Sequence, residues 1–174
     1  MTPRPDSTWK PSPNFRTPRR KPVTAIIIHA TAGECAGALR TLCDPRTDNP
    51  AARVSAHYLV DRDGTITHLV HESDEAWHAG ESIWNGVPNV NDFSVGIELV
   101  NRNDGLDPYP EPQLAACAAL VKAIMTDYGV QRADVVGHVD IVDGATPEDK
   151  AARLLLHSDP KAFPWEDFRA RLAA

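Results

Sequence analysis

The chain has 174 residues and a mass of 19.0 kDa, with 42% hydrophobic and 24% charged residues, the profile of one globular domain, since chains of about 100–200 residues usually build a single core. Lys and Arg number 18 against 24 Asp and Glu, a formal net charge of −6, which disfavours a nucleic-acid partner. The longest apolar runs, such as residues 23–28, fall far short of the ~20 residues a bilayer span needs, so no membrane span is expected.

Residues 1–22 are rich in proline and arginine, show no periodicity and contain no apolar stretch of the kind a secretory signal requires. They read as an extended or loose arm. The cysteines are Cys35, Cys43 and Cys117, an odd number. Cys35 and Cys43 fall in one expected helix and would lie about 12 Å apart at 1.5 Å per residue, too far for a disulfide. A reducing, cytoplasmic location is the simplest reading.

The first core element is residues 23–30, VTAIIIHA, an unbroken apolar, β-branched run that suits a strand covered on both faces and ends at His29. Residues 34–43 have helical spacing at Ala38, Leu39 and Leu42, and Pro45 and Pro50 end that helix. Residues 54–60 and 66–70 are short strands around Asp61-Arg62-Asp63-Gly64, a β-hairpin signal. A loop over residues 77–91 leads into a buried-type strand at 93–100. Residues 112–128 form the clearest helix, with proline in the first turn and Gly129 past the end. Val135 and Val136 lead a strand into Gly137-His138, and helices are expected at 147–156 and 165–172. Strands alternating with helices within one core predict an α/β single domain with a central mixed β-sheet flanked by helices.

Three of the seven histidines, His29, His138 and His157, stand at strand ends or in loops near carboxylates, where α/β folds present functional groups. Two imidazoles and one carboxylate also make the ligand set of an open catalytic Zn²⁺ site. No H-E-x-x-H or C-x-x-C pattern selects among the seven.

Blocks in fixed order narrow the choice: VTAIIIHATAG (23–33), SAHYLVDRDGT (55–65), AWHAG (76–80), NDFSVGIELVN (91–101), YPEPQL (109–114), VVGHVDI (135–141) and HSDPKAFPW (157–165). Together they resemble the zinc-dependent N-acetylmuramoyl-L-alanine amidases of the type 2 amidase family. Ser12-Pro13-Asn14-Phe15 is similar to the lead-in of that family's cell-wall-recycling branch. On this resemblance residues 1–11 are expected to be a flexible tail and residues 12–174 the catalytic domain.

The resemblance implies Zn²⁺ held by His29, His138 and Asp159. The pattern departs from the family at residues 139–158, a longer excursion than in recycling enzymes, which leaves Asp140 and Asp143 as rival carboxylates. It departs again at His157, which stands where recycling amidases carry a lysine able to steady an oxyanion. Glu98 is the implied general base: a carboxylate among Val95, Ile97 and Leu99 is costly to bury without a purpose. Tyr58 is implied near the zinc as a hydrogen-bond donor, and Trp77 and His78 in the substrate groove.

The implied reaction is hydrolysis of the amide between N-acetylmuramic acid and L-alanine, with a muropeptide or peptidoglycan as substrate. Recycling of soluble 1,6-anhydro-muropeptides is preferred, because no secretory signal and no wall-binding segment accompany the domain. A lysin acting on intact wall and a non-catalytic peptidoglycan-binding module of the same fold are the alternatives.

Overall fold

The computed structural model describes residues 2–144 and 146–173. A six-stranded sheet runs through it, built from β1 (Ser7–Trp9), β2 (Ala25–Ala30), β3 (Tyr58–Val60), β4 (Ile66–His68), β5 (Ser94–Leu99) and β6 (Val135–Gly137), in the order β1-β4-β3-β5-β2-β6. Only the β3–β4 hairpin is antiparallel; the other four pairings are parallel, so the sheet is mixed as expected. The helices are α1 (Cys35–Leu42), α2 (Glu111–Tyr128), α3 (His138–Ile141), α4 (Pro147–Leu156) and α5 (Trp165–Ala173).

Strand alternation assigns each side chain to a face. Ile26 and Ile28 of β2, Val95, Ile97 and Leu99 of β5, and Tyr58 and Val60 of β3 form one cluster with Leu114, Leu120, Val121 and Ile124 of α2 and Phe168 and Leu172 of α5. The opposite face divides in two. Ala25 and Ile27 pack with Val90, Phe93, Val136 and Ile141, while Leu59 packs with Leu42, Leu69 and Val100 beneath α1. Because β2 is covered on both faces, all six of its residues are buried, which is why its sequence is apolar throughout.

The arm at the N-terminus differs from expectation. Residues 7–9 are not loose: they form β1, in parallel register with β4. Arg4 donates to both carboxylate oxygens of Glu72 at 2.6 and 2.7 Å and to Asp127 at 2.8 Å. Trp9 stacks on His71 with ring centroids 4.4 Å apart. Without β1 the outer edge of β4 would present unpaired backbone groups, and an added strand removes that liability. The prolines hid this strand, since Pro5 and Pro11 leave only five residues between them, of which it takes three.

Candidate active site

The site lies where three parallel strands end. His29 is the penultimate residue of β2, and its register partner on β5 is Glu98. β6 ends at Gly137, and His138 opens α3 at once. α3 was not foreseen as a helix; it has a single turn, and Asp140 caps it by accepting from the Gly137 amide at 2.8 Å.

Asp159 returns to these strands from beyond α4. Its backbone carbonyl accepts from the Val139 amide at 3.0 Å, so the 139–158 excursion leaves and rejoins the fold at almost one point. At Gly137 a Cβ would stand 2.8 Å from Pro160 Cδ; only glycine lets the Asp159-Pro160 segment lie this close. The carboxylate reaches His29 Nδ1 at 3.3 Å through Oδ2 and His138 Nδ1 at 3.2 Å through Oδ1. The three ligand atoms lie within 4.8 Å of one another and all three residues are buried. Of the three rival aspartates, Asp159 joins the histidines, Asp140 caps α3, and Asp143 stands outside the group.

The electrostatics follow from that packing. Burial alone would raise the Asp159 carboxyl, but the adjoining His138 and His29 rings hold it well below the usual carboxylate range. Burial pushes His29 and His78 below the ordinary histidine value. Glu98 is the exception among the carboxylates: burial, and then the charge of Asp159, push it up to about 8. Its Oε2 is buried without a hydrogen-bond partner among the described residues, a costly state for a polar atom.

His29, Glu98, His138, His157 and Asp159 line one cavity of about 540 Å³, walled by residues 30–34 and by α1 through Gly37, Ala38, Arg40 and Thr41. The His157 ring lies 4.7 Å from the His138 ring, at the exposed rim. Sequence reasoning gave no role to α1, whose Arg40 and Thr41 carry no motif.

Two expectations are corrected. Tyr58 does not reach the site. It is in register with Ile97, so it projects to the α2 face, and its hydroxyl donates to Glu72 Oε1 at 2.6 Å. The one-residue parity of a strand separates it from His29 and Glu98. Trp77 does not line the cavity; its backbone exchanges hydrogen bonds with Ser55. His78 lines the cavity but is almost wholly buried. Asn91 Oδ1 accepts from the His78 and Ala79 amides and turns the loop inward, leaving His78 9% exposed beside His29.

An open two-histidine, one-carboxylate set beside a buried, unpaired glutamate is what a hydrolytic metal centre requires, and residues 19–152 match the N-acetylmuramoyl-L-alanine amidase family. The chain belongs to this amidase family. AmiD of Escherichia coli K12 is 35% identical over 159 residues, covering 83% of this chain and 51% of AmiD. The 1,6-anhydro-N-acetylmuramyl-L-alanine amidase AmpD of Salmonella typhimurium LT2 is 33% identical over 192 residues, covering 97% of this chain and 95% of AmpD. The solved complex of E. coli AmiD with anhydro-N-acetylmuramic acid-L-Ala-D-gamma-Glu-L-Lys superposes with a TM-score of 0.70 at 32% identity, over 86% of this chain and 57% of AmiD. This amidase chain thus spans about half the length of AmiD and nearly all of AmpD. The family match ends at residue 152, and the fold brings Asp159 beside the two histidines.

Proposed function

We propose that this chain hydrolyses the amide joining N-acetylmuramic acid to L-alanine in soluble muropeptides, with 1,6-anhydro forms preferred. The observation that carries the reading is the unpaired Oε2 of Glu98, buried in the same cavity as His29, His138 and Asp159. The donor set fits a divalent cation such as Zn²⁺: two imidazole nitrogens and one carboxylate oxygen converge beside the cavity. Bound there, Zn²⁺ supplies Lewis acidity toward water and the amide carbonyl.

The chain's own residues do the rest. Glu98 Oε2 takes a proton from the attacking water and delivers it to the departing L-alanine nitrogen, the two halves of general acid–base catalysis by one positioned carboxylate. His157, on the cavity rim, donates a hydrogen bond to the carbonyl oxygen as it gains charge. Asp159 would complete the ligand set, its two oxygens lying 3.3 Å from His29 Nδ1 and 3.2 Å from His138 Nδ1.

The anhydro-muropeptide preference draws support from the AmpD relative and from the ligand in the AmiD complex. The three free thiols support a reducing, cytoplasmic setting. A binding module of the same fold is disfavoured, because such a module has no use for a buried, unpaired base. The test compares zinc-loaded protein on a soluble anhydro-muropeptide and on intact sacculi. Release of peptide from the soluble substrate is expected; activity confined to sacculi overturns the preference, and binding without cleavage of either overturns the reaction.

A further inference from the structure

His78 lies on the side of His29 remote from Asp159. Its Nδ1 is 3.0 Å from His29 Nε2, and its Nε2 is 3.2 Å from Ser94 Oγ. The Ser94 hydroxyl donates to the Val90 carbonyl at 2.7 Å. With the Ser94 proton committed to Val90, its oxygen can only accept, so His78 carries its proton on Nε2 and offers a lone pair at Nδ1. His29 then donates from Nε2, which leaves the lone pair of His29 on Nδ1, the atom facing Asp159 and the metal position. In the reverse direction Ser94 would have to donate to two acceptors with one proton.

A second observation stands apart from the hydrogen bonds. The His78 ring packs against β5 at Gly96, where an added Cβ would clash with the ring's Cγ and Cδ2. No other residue at position 96 leaves room for the ring. On β5 the residues facing the site are thus Ser94, which orients His78, Gly96, which seats it, and Glu98.

We propose that His78 is a positioning residue that, oriented by Ser94 and seated on Gly96, fixes His29 in the tautomer presenting Nδ1 to the metal. The proposal rests on the metal reading given above. Ligand histidines are commonly held by such a partner, and losing it typically weakens metal binding by about 10–100-fold.

The experiment measures zinc affinity by competition with a chromophoric chelator for the full chain and for His78→Phe, His78→Asn and Gly96→Ala. Thermal melting of the metal-free forms checks folding. Phe keeps the ring volume without an acceptor, whereas Asn returns a carbonyl oxygen near the Nδ1 position. The expected result is a loss of about 10–100-fold for His78→Phe and for Gly96→Ala, with most of it regained in His78→Asn. Nitrogen-15 NMR of the zinc-loaded wild type is expected to show His29 and His78 both protonated on Nε2, a signature that does not depend on the variants folding. Wild-type binding with unchanged affinity in His78→Phe and Gly96→Ala, or a proton on His78 Nδ1 in the loaded protein, overturns the proposal. Failure of the wild type to bind zinc overturns the metal reading beneath it.

Discussion

His29 and Glu98 are register partners on adjacent parallel strands, both pointing to the same face of the sheet one residue before the strands end. The proposed metal ligand and the proposed proton acceptor are therefore held at a spacing set by the sheet itself rather than by loops. Such rigid placement favours a reaction that depends on near-attack geometry.

Replacing the acceptor separates its role from metal binding. Glu98→Gln keeps the shape of the side chain and should retain zinc while turnover falls by about 10²–10⁴-fold, the usual worth of a positioned general base. Zinc titration and steady-state kinetics on one preparation check both halves.

The raised Glu98 carboxyl also has a stability signature in the metal-free protein. Its folded value, about 8, exceeds the ordinary 4.5, so between those values the folded chain holds a proton that the unfolded chain has lost. The stability it contributes is complete below about 4.5 and disappears as pH rises through about 8, at up to about 1.4 kcal/mol per pH unit. Denaturant melts across this window should show the stability of wild type falling relative to Glu98→Gln as pH rises. A constant difference would show that burial does not perturb this group.

The two aspartates nearest the histidines have different work and should fail differently. Asp159→Ala removes a carboxylate shared by His29 and His138, and zinc binding should collapse. Asp140→Ala loses only the cap on α3, costing about 0.5–2 kcal/mol of stability with zinc retained. Metal content after dialysis, set beside melting temperature, distinguishes the two.

Much of this was readable from residues alone. The β-branched run at 25–30, the hairpin around Gly64 and the α2 pattern each announce their element through local chemistry. The grouping of His29, His138 and Asp159 was reachable through ordered blocks, not through spacing, because β2, β6 and the segment after α4 meet only in the folded sheet. Tyr58 was misplaced because motif adjacency says nothing of strand parity, although the alternation of Ser94, Gly96 and Glu98 with Val95, Ile97 and Leu99 already marked which face is which. The roles of His78 and of β1 depend on partners distant in sequence, Gly96 and β4, and local propensity carries no such information.

The N-terminal arm gives a test of that last point. Arg4→Ala strands Glu72, a carboxylate that also accepts from Tyr58, and should cost about 1–3 kcal/mol. At this chain length that corresponds to a fall of roughly 2–4 °C in Tm per kcal/mol. A melt indistinguishable from wild type would return residues 2–9 to the status of a tail.

The central claim, hydrolysis at the muramic acid amide, is tested most directly by incubating the zinc-loaded chain with an anhydro-muropeptide in heavy-oxygen water and weighing the products. The account predicts a peptide with a free L-alanine amine and no label, and a muramic acid whose lactyl carboxylate carries the heavy oxygen. An intact muropeptide recovered from protein that holds its zinc would contradict it.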